Sequence, residues 1–110
     1  MFVKKPDKVI FINDFLEESF NKLQDNNWLK KSLRKAIEDF KENAFCGERI
    51  HKYLIPKIYI KDYGIDNLWW YPLANAWRLV YSITTKDQSM LLMIVEYFNH
   101  KDYERRFGYH

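Results

Sequence analysis

The chain has 110 residues, 47% hydrophobic and 18% aromatic, with only three glycines and three prolines; it can close one hydrophobic core and is not collagen-like, low-complexity or linker-rich. A formal net charge of +3 permits nucleic-acid contact without demanding it. The lone cysteine, Cys46, excludes an internal disulfide and a Cys-rich zinc site, and it predicts a reducing compartment.

Val9-Ile10-Phe11-Ile12 is a short apolar run with β-branched residues and predicts a buried strand. It is too short for a signal-peptide core or a membrane span, as is Met90 to Val95, and a cytoplasmic protein with no membrane partner is the expectation. Asn13-Asp14 starts a helix, with Asp14 and Glu17 at capping spacing and Leu16, Phe20 and Leu23 on one face. Asp25-Asn26-Asn27 breaks it. A second helix starts near Trp28, with Leu29, Leu33, Ala36, Ile37, Phe40 and Ala44 as its apolar stripe and Gly47 as the residue beyond its end.

Residues 48–66 are less regular, interrupted by Pro56 and closed by Gly64 and Asp66-Asn67. Three strands follow. Leu68 to Leu73 is the first. Trp77 to Thr84 is the second, with Trp77, Leu79, Tyr81 and Ile83 on one face and Arg78, Val80, Ser82 and Thr84 on the other. Leu91 to Phe98 is the third, apolar on both faces and so interior. Lys86-Asp87-Gln88 joins the last two. The expected fold is one α+β domain over 1–110: an N-terminal strand, an antiparallel two-helix hairpin and a three-stranded antiparallel meander. Both helices are expected on one face of a four-stranded sheet.

Arg78 stands in a strand otherwise rich in apolar residues, so its guanidinium must be paired or solvated. An ion pair with Glu96, an arginine on an open sheet face, and a functional cation are the alternatives. A turn centred near 86–87 sets Arg78 opposite roughly Val95, at the end from which Asn99-His100-Lys101-Asp102-Tyr103 emerges. Arg78, His100 and Tyr103 thus have a reason to converge. A base, an acid and a fixed cation suit metal-free RNA cleavage, in which the 2′-oxygen attacks the adjacent phosphate. From Arg49 to Lys61 the chain carries Arg49, Lys52, Lys57 and Lys61 with no acidic residue, interleaved with Tyr53 and Tyr59. That pattern fits single-stranded nucleic acid or a solvated loop packed through its aromatics. His51, His100 and His110 have no metal-ligand spacing with carboxylates, and no phosphate-binding glycine loop or serine-hydrolase motif occurs.

Trp77-Arg78-Leu79-Val80-Tyr81, followed by an apolar strand and the tail His100-Lys101-Asp102-Tyr103, resembles the RelE/ParE superfamily of toxins. The likeness is strongest from about Asn67 to Tyr109. The resemblance implies a toxin of a type II toxin–antitoxin system, held by a small antitoxin protein. RelE-like members cleave mRNA on the ribosome without metal or cofactor; ParE-like members inhibit DNA gyrase. It makes Arg78 the phosphate-stabilising arginine, with His100 and Tyr103 as its catalytic neighbours. Arg49, Lys52, Lys57, Lys61, Lys101, Arg105 and Arg106 become RNA-contact candidates. The alternative within the resemblance is a non-enzymatic member that inhibits gyrase or binds RNA or protein. The chain departs from the nuclease pattern at Trp69 and Tyr71, where such members carry lysines.

Overall fold

Asn13 organises the first turn of the fold. Its Oδ1 accepts the backbone N–H of Leu16 at 2.9 Å, which starts helix α1 (Asp14–Lys22) directly after strand β1 (Lys8–Phe11). Asp14 and Glu17 in the first turn and Lys22 in the last complement the helix dipole. Asn27 caps helix α2 (Trp28–Glu42) in the same way, accepting from Leu29 N–H at 2.7 Å. These elements belong to a computed structural model that describes residues 3–108.

Between the two helices, the buried side chain of Lys30 reaches back to the end of α1. Its Nζ donates to the carbonyl of Leu23 at 2.8 Å and that of Asn21 at 3.4 Å, and lies 3.4 Å from Asp25. A cation there satisfies carbonyls that α1 leaves unpaired. Arg34, then Lys30, holds the Asp25 carboxyl below its ordinary range. Lys30→Met keeps the apolar stem and removes the donor, so it should cost about 1–2 kcal/mol. Urea denaturation measures this, with the exposed Lys31→Met as a control expected within about 0.5 kcal/mol of the parent.

The remaining elements are β2 (Glu48–Ile50), a 3-10 turn (Lys52–Leu54), α3 (Lys57–Tyr63), β3 (Leu68–Pro72), a second 3-10 turn (Ala74–Ala76), β4 (Arg78–Lys86), β5 (Ser89–Phe98) and α4 (His100–Phe107). The five strands form one sheet in the order β1-β5-β4-β3-β2. β1 runs parallel to β5, with Lys8 opposite Leu91, and the other pairs are antiparallel. This overturns the expected four-stranded sheet with a helical hairpin on one face. The sheet is five-stranded and mixed, and both its faces are covered.

One face packs against α1 and α2. Leu33, Ala36 and Phe40 meet Leu79, Tyr81 and Ile94 there. The other face is closed by the stretch that looked irregular and by the tail. Ile55, Tyr59 and Ile65 pack with Val80, Val95 and Tyr103. Three physical reasons account for the difference. β2 is three residues long with one buried side chain, too short for an alternation signal. Pro56 precedes α3 as its N-cap rather than breaking it, a position where proline's missing N–H costs nothing. α4 starts one residue after β5, because Asn99 Oδ1 accepts the Asp102 N–H at 2.8 Å.

Gly47 does not end α2. The cap is Asn43, whose Oδ1 accepts the N–H groups of Lys4 at 3.2 Å and Phe45 at 3.0 Å. Gly47 instead lies against the sheet, where its N–H donates to the Tyr81 hydroxyl at 2.9 Å and that hydroxyl donates to Ala44 O at 3.0 Å.

Candidate functional site

Register brings the site together. Asp87 and Gln88, with φ of 51° and 66°, form a two-residue turn that pairs Lys86 with Ser89. Such primed turns match the twist of a hairpin. The ladder continues to Tyr81 opposite Ile94, then shifts, so that Val80 faces Glu96 and Val95 is the extra residue. Beyond this bulge Arg78 faces Phe98, not Val95 as the sequence reading expected. The turn is centred one residue later than assumed, which moves every partner by two, and the bulge adds one more.

The bulge also re-aims side chains. Val95 is buried in the cluster under α3 and α4, and Glu96 turns to the same side. Glu96 accepts the Tyr59 hydroxyl at 2.7 Å and Arg106 Nη2 at 3.0 Å. Burial, then the bond to Glu96, pushes the Tyr59 phenol well above its ordinary range, so it stays a donor. The carboxylate considered as a partner for Arg78 is therefore engaged elsewhere, tying α3 and α4 to β5.

Arg78 is stacked instead. Its guanidinium carbon lies 4.1 Å from the Trp70 ring centroid and 4.4 Å from that of Tyr103. Trp70 sits on β3 opposite Val80, a diagonal neighbour of Arg78 across the ladder. Tyr103 comes from the first turn of α4, only 2% exposed, edge-on to Phe98 and stacked on Phe107. Among the described residues Arg78 forms no ion pair and no side-chain hydrogen bond. No described side-chain nitrogen is both buried and unpartnered, so its donors reach solvent. The result is a cation held against two aromatic rings, with its hydrogen-bond donors open to solvent.

His100, at the start of α4, has a side chain 55% exposed and pairs through Nε2 with Glu104 one turn later. Arg78 and Tyr103 thus meet in direct contact, while His100 shares the helix with Tyr103 and engages Glu104. Lys101 is exposed; Arg105 pairs with Asp102 at 3.4 Å, and Arg106 with Glu96. Beside α4 an open pocket of about 590 Å³ is lined by Ile58, Phe98, Asp102, Arg105 and Arg106. Lys57 and Lys61 are exposed on α3, Lys52 on the 3-10 turn and Arg49 on β2. None of these four forms an ion pair among the described residues. Tyr109 and His110 lie outside the described residues.

Sequence reasoning missed Trp70, the nearer of the two rings against Arg78. The signal was present: an aromatic residue on the strand next to a lone strand arginine, with the parity to share its face. Among the described residues no helix is long and apolar enough to cross a membrane. Nor do three or more His, Cys, Asp or Glu side chains gather as a metal site. Comparisons with protein-family models, with curated proteins and with solved structures find no match.

Proposed function

We propose that the chain is a toxin of the RelE/ParE type that cleaves RNA without a metal, with Arg78 as its phosphate ligand. The observation carrying this reading is the stacked, solvent-edged Arg78 without a carboxylate partner. A guanidinium held against two rings is pre-oriented, and its free edge matches the geometry of phosphate oxygens.

His100 supplies the base. Its Nε2 lies against the Glu104 carboxylate, and in this reading Nδ1 is the acceptor. The imidazole takes the proton from an RNA 2′-hydroxyl. The 2′-oxygen bonds to the adjacent phosphorus, and the bond from phosphorus to the 5′-oxygen breaks. Arg78 neutralises the charge that builds on the phosphoryl oxygens, and solvent protonates the leaving oxygen. The products are a 2′,3′-cyclic phosphate and a 5′-hydroxyl. Tyr103 acts beneath this site by holding the guanidinium. In this reading the substrate is mRNA on the ribosome, and a small antitoxin protein masks the Arg78 end of the sheet.

Induced expression followed by mapping of mRNA ends is the test. Growth arrest should accompany new 5′-hydroxyl ends within translated frames, and purified protein with ribosomes should yield the same ends in EDTA. Intact mRNA in an arrested culture would sink the nuclease reading. The burial of Tyr103 favours one second reading, because no phenolic acid is presented to a substrate. In it the chain is a non-enzymatic binder of RNA or of a protein such as gyrase, and arrest occurs with no new RNA ends.

A further inference from the structure

We propose that a second site, on the opposite face of the sheet from Arg78, binds one pyrimidine or purine nucleotide that carries an amino group. The site is an open groove of about 340 Å³ at the corner where β2, β3 and β4 meet. That volume lies at the small end of the range of about 300–1,000 Å³ typical of ligand pockets.

Its floor is aromatic. Trp69 faces Arg49 of β2 and Tyr81 of β4 across the ladder, and Phe45 leans on its ring with centroids 5.4 Å apart. Trp69 is only half-buried and lines the groove, so part of its indole is exposed there, with Tyr81 stacked on the ring at 6.1 Å. The rim is cationic. Arg49 and Lys52 line the groove, both exposed and both without an ion pair among the described residues. The α4 pocket differs in this respect, since its two arginines are each matched by a carboxylate. Two free cations over an aromatic floor is the combination that recognises a phosphate joined to a planar base.

The Arg49–Trp69 spacing fits that use. The guanidinium carbon stands 6.0 Å from the ring centroid, against 4.1 Å for Arg78 over Trp70. A base inserted between ring and cation needs about 6.8 Å, two stacking intervals of about 3.4 Å each. A small swing of an exposed arginine side chain provides it.

The far wall sets the preference among bases. Asn67 is saturated: its Oδ1 accepts from Ile83 N–H at 2.9 Å and Ser82 Oγ at 3.1 Å, and its Nδ2 donates to Ile83 O at 2.8 Å and Asp66 Oδ1 at 3.1 Å. It reads nothing itself but fixes Asp66 at the rim. A carboxylate there accepts from an exocyclic amine, as in cytosine, and repels the carbonyl edge of uracil.

This site is separate from the one assigned to RNA cleavage. Ile83 lies five residues along β4 from Arg78, about 16 Å at about 3.3 Å per residue, and faces the other side of the sheet. The inference does not rest on the toxin reading.

The test is titration with CMP, UMP, ribose 5-phosphate and a C8 oligoribonucleotide, followed by calorimetry and by the tryptophan indole N–H resonances. CMP should bind about tenfold more tightly than UMP and ribose 5-phosphate. It should shift the Trp69 indole signal, assigned by its loss in Trp69→Phe. The double variant Arg49→Ala/Lys52→Ala changes exposed side chains only and should weaken CMP about tenfold, while Arg78→Ala should leave CMP affinity unchanged. If C8 binds more tightly than CMP and the double variant abolishes the gain, the nucleotide is read within a strand. If the two bind equally, it is read as a free nucleotide; both outcomes support the site. Equal affinity for CMP and ribose 5-phosphate would overturn it, because the aromatic floor would contribute nothing. So would an unmoved Trp69 signal, or a double variant that binds like the parent.

Discussion

Gly47→Ala should destabilise the fold by about 3 kcal/mol, a loss expected when an atom is forced into a closed contact. A Cβ at this position would sit 2.6 Å from the backbone oxygen of Trp70 and 2.6 Å from the hydroxyl of Tyr81. The first neighbour is sheet backbone and cannot rotate away. The second is the hydroxyl of a fully buried side chain, hydrogen-bonded to Gly47 N–H and to Ala44 O. Pushing it aside breaks a junction that joins the end of the helical layer to β3 and β4. For a domain of this size each kcal/mol is worth about 4–8 °C of melting temperature, so a drop of at least about 10 °C is expected by calorimetry. Tyr81→Phe separates the two contributions. It relieves the hydroxyl contact but leaves Ala44 O without its side-chain donor, for a cost of about 1–3 kcal/mol. If Gly47→Ala melts within a degree or two of the parent, Gly47 is not closely packed against Trp70 and Tyr81.

The same glycine shows where sequence reading reached its limit. A glycine after an apolar helical stripe reads as a helix end, because local rules assign it to the nearest helix. Its actual constraint comes from Trp70 and Tyr81, many residues away in sequence and invisible to any local window. Strong local signals behaved differently. The stripe Leu29, Leu33, Ala36, Phe40 marked the buried side of α2, and the alternation from Trp77 to Ile83 marked the α2-facing side of β4. The covering of the second face was harder to read. α3 has only seven residues, with Ile58 and Ile60 exposed and Tyr59 buried, so its apolar pattern contradicts its burial. α4 hides among charges, its anchoring contribution concentrated in Tyr103 and Phe107. At the site, chain direction set Arg78 and the tail carrying Tyr103 at one end of the sheet, although the register that pairs Arg78 with Phe98 was not legible. The partners of Glu96 did not, since one bulge at Val95 decides which way that carboxylate points.

On the proposed nuclease reading, Arg78→Ala should abolish growth arrest and reduce RNA cleavage by about a hundredfold or more, the scale seen when a preorganised charge ligand is removed. Its effect on folding should be far smaller. The guanidinium contributes two ring contacts and no ion pair, so about 1–3 kcal/mol of stacking is lost and the chain remains folded. Arg78→Lys is the more informative partner. An ammonium restores the charge but neither the planar stack against Trp70 and Tyr103 nor the forked donor edge. If the arginine acts only as a diffuse positive charge, lysine rescues most of the activity. If the stacked geometry matters, lysine stays within about tenfold of alanine. Tyr103→Phe completes the argument: it keeps the ring under Arg78 and removes the phenol. Activity close to the parent assigns Tyr103 to positioning, as its 2% exposure argues. A loss as deep as that of Arg78→Ala, in a protein with unchanged melting temperature, would instead make the phenol a proton donor that reaches the substrate after α4 moves.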